Sequence, residues 1–554
     1  MTLSCLILLS LPLLPSLNSV NLSNSVSATT GSTGYVMTEY KLPGGPNQPV
    51  AITTDASGNV WVVEQESNQL AMFNPSNSSF QEYNIPTPSS TPNSVALDSS
   101  GNVWVTELTT SKLAELKSGA TNMIEYSIPN GSTTLGTQIE PLECGPVAVI
   151  AGPNGGIWIL CDFSNQIDEF FPSNSTFDRF NLPVWQSGPA GLVFDRNGNF
   201  WFTAADANML GHAVTSQLHN DTMNGITEFA PLNETYTFVF AHPIDLQGNT
   251  KNITSSLPTP AGIGLGPDGN TLWITEHVDG SFDSYNIATK SLDRYWTSKT
   301  YGQFGYQYSF PNGLAVSPDG MVWMAEHYGN KVAEFNPNTG KLVEYAAPCC
   351  GTTASGLYTL TLGKNGTVWF VEIFGNAIGE LKPIATSQIF NIDLKNSLVS
   401  VGSGRPAKAN VTVEVQYSGF PAGEPGDVKL DIAGVSKTGA LSGASAQFSQ
   451  STLNLSGTGN ASSNLSLVIQ SLKPGIYDFT VSAIVSSTNT TYSEILKVNA
   501  SSSSSSSHQV LTIEYGAVIG VIASVALVGI LSLRMKRRKI RKFSARRVRS
   551  RRTF

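Results

Sequence analysis

The sequence predicts an all-β protein, in which a seven-bladed β-propeller is followed by an immunoglobulin-like β-sandwich and one C-terminal transmembrane helix. Three observations support this prediction. A Trp-centred segment recurs seven times, alternating strands without that repeat follow it, and an uncharged apolar segment then precedes a basic terminus. Charged residues make up only 13% of the chain, which is typical of a turn-rich extracellular protein and excludes a typical helical cytosolic enzyme.

The repeat has a period of roughly 40–50 residues, which is typical of propeller blades. Each copy has a short apolar strand, a tight turn such as DASGN, and a strand centred on one of the residues Trp61, Trp104, Trp158, Trp201, Trp273, Trp323 and Trp369. A further strand such as QEYNIP follows the first six copies but not the seventh. Its equivalent, TEYKLP (Thr38–Pro43), stands before the first copy. We therefore expect the N-terminal strand to complete blade seven and close the ring.

The domain boundaries follow from these changes of pattern. The predicted segments are a signal peptide (1–28), the propeller (35–384), the β-sandwich (388–499), a Ser-rich stalk (500–509), a transmembrane helix (515–533) and a basic tail (534–554). The sandwich is predicted to act as a spacer. Copies four and five are unusually far apart, and the excess, roughly 212–258, is interpreted either as a lid or binding loop or as plain decoration.

The charge distribution separates two compartments. Of the 32 Lys and Arg residues, 12 lie between Arg534 and Arg552, where there is no acidic residue, so residues 1–533 carry a net charge of −20. The positive-inside rule places the C-terminus in the cytoplasm and the acidic body outside. We therefore predict a single-pass protein of the cell membrane with an outside ectodomain and no nucleic-acid partner.

An oxidising exterior has consequences for cysteines and for asparagines in Asn-x-Ser/Thr sequons. Cys144 and Cys161 flank the first hairpin of blade three and are predicted, weakly, to form a disulfide; a vicinal Cys349–Cys350 bond or other pairings stay open. The chain has fourteen sequons, a modest excess over chance. The predicted glycosylation sites among them are Asn77, Asn174, Asn233, Asn365, Asn454 and Asn464.

The repeat string G-x-[LVI]-W-[FIV]-[TAV]-E-x-x-x-N-x-[IVL], with [TV]-E-[YF]-x-[LI]-P behind it, resembles the streptogramin B lyases, or virginiamycin B lyase-like proteins, over about residues 36–383. The resemblance implies a seven-bladed propeller. It also implies a Mg²⁺-assisted elimination that opens the lactone ring of a cyclic antibiotic. In that family the catalytic His follows a Pro in the loop leading into a blade. The equivalent loops here, among them NQPVAI, CGPVAV and FPNGLAV, have no His after the Pro, so the general base is missing from its family position.

A glutamate recurs three residues after the Trp, at the end of the second strand. It is present as Glu64, Glu107, Glu276, Glu326 and Glu372, and is replaced by Cys161 and Ala204 in the other two blades. The resemblance implies that Glu276, Glu326 and Glu372 hold Mg²⁺ as a cofactor. The interpretation that we favour is simpler: a glutamate repeated five times caps backbone amides in its own turn.

Two histidines depart from the repeat. His277 and His327 each follow one of these glutamates, in neighbouring blades. They are the candidates for a displaced catalytic base, although a surface or hydrogen-bonding role is favoured. We therefore interpret the protein as a propeller that binds a small molecule, a glycan or a protein at one face. The alternative is a metal-assisted carbon–oxygen lyase of the virginiamycin B lyase type, or a lactonase, acting on a cyclic ester.

Overall fold

The computed structural model describes residues 29–31, 35–135, 138–230, 259–278, 280–298, 309–347, 356–383, 389–395, 398–402, 407–418, 425–436, 444–469, 475–487 and 489–501. The predicted signal peptide, transmembrane helix and tail lie outside these ranges, as do residues 502–509 of the predicted stalk. All described residues belong to one compact unit, residues 22–503. None of the helices within them has the length and apolar character needed to cross a bilayer.

Short antiparallel strands make up the first part of the described chain. Two N-terminal strands come first: β1 (Thr29–Gly31) and β2 (Tyr35–Lys41). Blade 1 contains β3 (Pro49–Thr54), β4 (Val60–Glu64), β5 (Gln69–Asn74) and β6 (Ser79–Asn84). Blade 2 contains β7 (Pro92–Leu97), β8 (Val103–Glu107), β9 (Lys112–Leu116) and β10 (Ile124–Ser127). A separate hairpin that the repeat does not predict, β11 (Gly131–Leu135) and β12 (Gln138–Leu142), follows blade 2.

The middle blades follow the same order. Blade 3 contains β13 (Pro146–Ala151), β14 (Ile157–Cys161), β15 (Gln166–Phe171) and β16 (Thr176–Asn181). Blade 4 contains β17 (Pro189–Phe194), β18 (Phe200–Ala204), β19 (Met209–Ala213) and β20 (Ile226–Phe229), with a 3₁₀ turn at Thr215–Gln217. Blade 5 contains β21 (Pro260–Leu265), β22 (Thr271–Glu276), β23 (Ser281–Asn286) and β24 (Leu292–Trp296). The predicted insertion therefore begins later than expected, because His212 and β20 belong to blade 4; residues 231–258 lie outside the described chain.

The last two blades complete the ring. Blade 6 contains β25 (Pro311–Val316), β26 (Val322–Glu326), β27 (Lys331–Asn336) and β28 (Lys341–Ala346). Blade 7 contains β29 (Leu357–Leu362), a 3₁₀ turn at Lys364–Gly366, β30 (Val368–Glu372) and β31 (Ala377–Pro383). The fourth strand of blade 7 is β2, which pairs with β31 from Tyr35↔Pro383 to Lys41↔Ala377. This is the closure that the displaced TEYKLP segment predicts, and β1 adds a further strand outside β2.

Seven blade sheets are thus present in the described residues, and their first strands form a closed ring. β3, β7, β13, β17, β21, β25 and β29 each pack against the next, and β29 packs against β3. Blade 7 is also hydrogen-bonded to blade 1, because Thr359 Oγ1 donates to the Val50 carbonyl at 3.1 Å and Thr54 Oγ1 donates to the Leu362 carbonyl at 2.9 Å. These bonds and the β2–β31 pairing hold the two ends of the propeller together.

In blades 1, 3, 4 and 7 the asparagine of the repeat connects the blade to the next one. Asn68 lies in the left-handed region with φ 59°, and its Oδ1 accepts the backbone N–H of Ser90 in the loop before blade 2 at 2.8 Å. Asn376 does the same at the closure, with φ 50° and a 2.8 Å bond from the backbone N–H of Asn47. Asparagine suits this position because it tolerates the left-handed conformation and carries an acceptor that reaches the neighbouring chain.

The tight turn before the Trp strand has a side-chain lock in blades 1 and 2. Asp55 Oδ1 accepts the backbone N–H groups of Ser57 and Asn59 at 2.8 and 2.9 Å, and its Oδ2 accepts Trp61 Nε1 at 3.2 Å. Asp98 Oδ2 accepts Trp104 Nε1 at 3.0 Å in the same way. In these two blades the aspartate therefore fixes the hairpin and satisfies the indole N–H of the buried Trp.

Two further sheets follow the propeller. Their strands are β32 (Ile389–Lys395), β33 (Leu398–Gly402), β34 (Ala407–Ser418), β35 (Pro425–Ser436), β36 (Ala444–Phe448), β37 (Thr452–Ser456), β38 (Gly459–Ile469), β39 (Gly475–Val485) and β40 (Thr491–Ser501). One sheet has the order β32-β34-β38-β36, and the other includes β40-β39-β35-β37 with β33 parallel to β40. Val413, Leu465, Val481 and Leu496 are among the buried residues of their shared core. The described chain therefore contains a two-sheet sandwich; its immunoglobulin-like character stays a prediction.

The sandwich shares a sheet with the propeller. β40 pairs antiparallel with β28, the outer strand of blade 6, from Lys341↔Glu494 to Glu344↔Thr491. Buried polar bonds reinforce the junction: Thr480 Oγ1 donates to the Trp296 carbonyl at 2.7 Å, and Lys331 Nζ donates to Thr491 Oγ1 at 2.9 Å. The predicted spacer is thus fixed against blades 5 and 6 instead of being connected to them by the chain alone.

Candidate functional site

The strand register places the repeat glutamates on one face of the propeller. In each blade the first residue of the first strand is opposite the last residue of the second strand, as in Pro49↔Glu64 and Pro311↔Glu326. The glutamates therefore lie beside the loops that lead into the blades, here called the leading loops. Five blades have such a residue, and its side chain is fully buried in each: Glu64, Glu107, Glu276, Glu326 and Glu372.

Blades 1 and 2 satisfy this glutamate locally. Glu64 Oε2 accepts the Ser67 hydroxyl at 2.7 Å, and Glu107 Oε2 accepts the Thr110 hydroxyl at 3.0 Å. In both cases the partner is the side chain three residues further along, not the backbone amide that we expected. Burial raises the pKa of each carboxyl to about 7, and these hydroxyl bonds partly oppose the shift.

Blades 6 and 7 lack that partner. The residue three positions after the glutamate is Gly329 in blade 6 and Gly375 in blade 7, so no hydroxyl is available there. The carboxyls of Glu326 and Glu372 are buried without a hydroxyl or amide partner among the described residues. Burial raises both pKa values well above the usual range, and a neighbouring carboxyl adds to the shift through its charge and a side-chain hydrogen bond: Glu344 for Glu326 and Glu39 for Glu372. Both effects favour the neutral, protonated form of Glu326 and Glu372.

Glycine at position 329 has a steric reason. A Cβ added there would lie 2.3 Å from Glu326 Oε2 and 2.8 Å from Glu326 Cβ. The carboxyl of Glu326 thus occupies the space that a side chain at 329 would need. In blade 6, Gly329 thus replaces the residue that carries the hydroxyl in blades 1 and 2, and the carboxyl of Glu326 fills the space beside it.

His277 and His327 come together in the structure. Each follows the second strand of its blade, and each continues the ladder by donating its backbone N–H to a leading loop, at Thr259 O and Phe310 O respectively. Their rings are stacked, with centroids 5.7 Å apart and planes 26° apart. The side chains are 1% and 2% exposed. Neither ring nitrogen of His327 has a hydrogen-bond partner in the described chain, whereas a backbone hydrogen bond at Pro311 partly opposes the lowering of the His277 pKa.

Burial decides the charge of these histidines. Desolvation lowers the pKa of His277 to about 4, and desolvation together with the charge of His277 lowers the pKa of His327 to about 3. Both imidazoles are therefore neutral at pH 7, each with one donor and one acceptor nitrogen. This corrects the surface role that we favoured from the sequence, because both rings lie inside the protein.

Aromatic rings surround the pair. Phe310 packs edge-on to His277 at 5.7 Å, and Tyr358 packs edge-on to His327 at 5.3 Å. Phe374 stacks over His327 at 6.3 Å and is 43% exposed, so it connects the buried rings to the surface. We call His277, His327, Glu326, Glu372 and these three aromatic residues the blade 5–7 site.

The predicted magnesium ligands do not converge as a set. Glu276, Glu326 and Glu372 belong to three consecutive blades, and they are not among the groups of three potential ligands within 4.8 Å of one another in the described residues. The raised pKa values of Glu326 and Glu372 also favour the neutral form, which binds a hard cation poorly. This donor set, as placed, does not fit a single Mg²⁺ ion, and magnesium binding stays a prediction.

The other predicted modification sites have these positions. Cys144 and Cys161 form a disulfide with their Cα atoms 4.6 Å apart, across the β13–β14 hairpin of blade 3. Cys349 and Cys350 lie outside the described residues. Of the predicted glycosylation sites, Asn233 also lies outside them, and the described ones are exposed: Asn77, Asn174, Asn365, Asn454 and Asn464.

Comparison with known proteins supports the fold. A family model described as SMP-30/gluconolactonase/LRE-like region matches residues 147–362. No curated protein matches the sequence significantly. Three similar solved structures are a streptogramin B lyase, a virginiamycin B lyase from Staphylococcus aureus, and a catalytically inactive variant of that lyase with quinupristin. Each is 21% identical with a TM-score of 0.50 over 63% of this chain, and 98% of the first and 100% of the other two are covered.

These findings define the class of the protein as a β-propeller. Within that class, the chain has the streptogramin-lyase-like fold, which confirms the resemblance seen in the repeat. At 21% identity the likeness establishes the fold, and the function has to be argued from the site itself.

Proposed function

We propose that the propeller binds an uncharged, polar small molecule at the blade 5–7 site. The observation that carries the proposal is the concentration in blades 5 to 7 of buried polar groups whose hydrogen-bonding capacity is not filled in the described chain. Both ring nitrogens of His327 lack a partner, and the carboxyls of Glu326 and Glu372 have no hydroxyl or amide partner. Each such group costs folding free energy, by about 1–3 kcal/mol. Groups of this kind are retained where a ligand supplies the missing partners.

The chemistry of the site indicates the class of ligand. Neutral imidazoles, together with carboxyls whose raised pKa favours the protonated form, offer both donors and acceptors with little charge. Phe310, Tyr358 and Phe374 add flat apolar surface beside them. This combination favours a molecule with amide, ester or hydroxyl groups and an apolar ring, and disfavours a phosphate or a metal cation.

Quinupristin is a suitable probe, because it is present in one of the structures that share this fold. Calorimetric titration of the purified protein is expected to show saturable 1:1 binding. His327→Phe should weaken it by roughly tenfold or more, since one good hydrogen-bonded contact contributes about 1.4 kcal/mol. Ser67→Ala in blade 1 is the control and should leave binding unchanged. Equal affinity in wild type and His327→Phe would contradict the location of the site.

The alternative function is a lyase or lactonase that uses His277 or His327 as a displaced base. The low pKa values of about 4 and about 3 oppose it, because a general base works best with a pKa near the working pH. We expect the protein not to open the quinupristin lactone, even with excess Mg²⁺, since loss of a placed base costs roughly 10²–10⁴-fold. Ring opening followed by mass spectrometry tests this. Turnover that disappears in His277→Ala or His327→Ala would establish an enzyme instead.

The site is proposed to face the outside of a cell. The support comes from the sequence: an uncharged apolar segment at 516–533 is followed at once by the basic cluster Arg534–Arg552. Carbonate extraction of membranes should leave the protein in the pellet, and protease added to intact cells should remove the propeller while sparing the basic tail. A protein released by carbonate, or protected from the protease, would contradict this placement.

A further inference from the structure

Blade 3 departs from the repeat at the position of the glutamate. Where blades 1 and 2 have a glutamate, blade 3 has Cys161, which is bonded to Cys144. The two sulfur atoms and one carboxyl oxygen of Asp168 all lie within 4.8 Å of one another, and within the described residues this is the one group of three His, Cys, Asp or Glu ligands that does so. All three side chains are fully buried.

Asp168 has no evident structural role at this position. Both of its carboxyl oxygens are buried without a hydrogen-bond partner in the described chain. The register pairs Ile159 with Asp168 and Cys161 with Gln166, so the aspartate projects from the same face of the sheet as Cys161. A buried carboxyl without a hydrogen-bond partner costs stability, and the neighbouring disulfide does not relieve this cost, because its sulfur atoms have no hydrogen to donate and accept only weakly.

The neighbouring hydroxyl indicates the same centre. Ser164 stands three residues after Cys161, in the position from which Ser67 bonds Glu64 in blade 1. Here the repeat carboxyl is absent, and the buried Ser164 hydroxyl has no partner among the described residues. A thiolate at Cys161 would give this hydroxyl an acceptor.

We propose that reduction of Cys144–Cys161 creates a binding site for a thiophilic divalent cation, such as Zn²⁺, with Cys144, Cys161 and Asp168 as ligands. Two thiolates and one carboxylate are three of the four ligands of a tetrahedral site, which leaves one position for water. Breaking the S–S bond allows the sulfur atoms to reach the separation of about 3.8 Å that tetrahedral ligation at about 2.3 Å requires. Soft sulfur ligands select Zn²⁺ over Mg²⁺ or Ca²⁺, so this site is chemically distinct from the blade 5–7 site.

The reaction balances with a phosphine as the reductant. The phosphine is oxidised to its oxide, water supplies the oxygen atom and the two thiol protons, and the disulfide becomes two thiols. Binding of the cation then displaces both thiol protons, and any proton on Asp168, to the buffer. The disulfide form offers no thiolate, so the site exists only in the reduced protein.

Cobalt is the probe, because tetrahedral Co²⁺ bound to thiolates absorbs strongly in the near ultraviolet. The full chain, with Cys349→Ser and Cys350→Ser so that these two residues contribute no thiol, is reduced with a phosphine, and thiol counting verifies the two new thiols. We expect one Co²⁺ per chain with thiolate bands that Zn²⁺ displaces. Protein kept oxidised should show no such bands.

Asp168→Asn is the decisive variant. It preserves the shape of the side chain but removes the anionic ligand, and it should weaken Co²⁺ binding roughly tenfold or more while the thiolate bands persist. Cys161→Ser should abolish the bands, and circular dichroism verifies that each variant is folded. The proposal is overturned if the disulfide resists reduction in the folded protein, if reduced folded protein shows no thiolate bands, or if Asp168→Asn binds Co²⁺ as tightly as its parent.

Discussion

Blades 1 and 2 carry the same repeat as blades 6 and 7, yet they treat its glutamate differently. In the first pair a hydroxyl three residues on satisfies one carboxyl oxygen. In the second pair that residue is glycine, and the carboxyls of Glu326 and Glu372 have no hydroxyl or amide partner in the described chain. The stacked rings of His277 and His327 follow the second strands of blades 5 and 6.

The difference shows that a conserved position in a repeat is not a conserved role within one chain. Where the glutamate is bonded inside its own turn, it belongs to the scaffold of the blade. Where the turn has no such hydroxyl, the same side chain is available to bind another molecule. The rest of the fold then has to offset the free-energy cost of burying that carboxyl. The residue three positions after the glutamate therefore distinguishes blades 1 and 2 from blades 6 and 7.

The largest expected effect comes from removing the fourth strand of blade 7. This truncation leaves all residues of blades 1 and 2 in place. A chain that begins at residue 42 lacks β2, which loses the pairing with β31 and the buried side chain of Met37. Its thermal midpoint should fall by about 10 °C or more relative to a chain that begins at residue 34, at about 2–4 °C per kcal/mol. Equal midpoints in differential scanning calorimetry would rule out closure through β2.

Acid should affect the blade 5–7 site next most strongly. In the unfolded chain His277 and His327 take up protons near pH 6.5, whereas in the folded protein they stay neutral down to pKa values of about 4 and about 3. The contribution of these two histidines to the free energy of unfolding is therefore fully present above pH 6.5. It is lost as the pH falls, by at most about 1.4 kcal/mol per pH unit for each histidine. Urea unfolding at pH 7 and pH 5 measures this loss. The double variant His277→Phe/His327→Phe should lose less, and an equal loss would contradict the buried neutral pair.

Blades 1 and 2 should respond to pH with the opposite sign. The folded-state pKa values of Glu64 and Glu107 are raised to about 7, so their contribution is fully present below about pH 4.5 and is lost as pH rises towards 7. Glu64→Gln and Glu107→Gln remove the titrating group and should flatten the profile between these values. A profile that is unchanged by both substitutions would show that these carboxyls titrate normally.

The smallest effect tests the comparison most directly. Glu326→Met and Glu372→Met replace a buried carboxyl that has only another carboxyl as its neighbour with an apolar chain of similar shape, and should leave stability unchanged or raise it by about 1 kcal/mol. Glu64→Met and Glu107→Met break a hydrogen bond to Ser67 or Thr110, and should lower stability by about 1 kcal/mol. Chemical unfolding at pH 7 measures all four variants. The same sign in both pairs would remove the distinction between scaffold and site.

Much of the fold could be predicted because each blade is specified locally. The turn aspartate, the Trp strand and the missing fourth strand are all visible in the sequence, and the β2–β31 pairing follows from them. The pairing of β28 with β40 could not be predicted in this way. It depends on two strand edges that are about 150 residues apart in the chain and carry no shared motif.

The position of the site could be predicted from the sequence, but the burial and the charge of its side chains could not. The sequence places His277 and His327 in neighbouring blades on one face, and the structure stacks them. Their burial and neutrality depend on the surrounding rings of Phe310, Tyr358 and Phe374, which come from other blades. The contrast of Ser67 and Thr110 with Gly329 and Gly375 was present in the sequence, but its meaning emerges only when the hydroxyl-to-carboxyl distances are known.

The shared sheet of β28 and β40 has a mechanical consequence. Residue 502 follows β40 directly, so a pull on the chain from its C-terminal side acts along β40. The hydrogen bonds of β40 to β39, β28 and the parallel strand β33 would then be loaded together in shear, instead of opening one after another like a zip. Tension on an anchored chain would thus be transmitted through blade 6 into the propeller, next to His327 and Glu326.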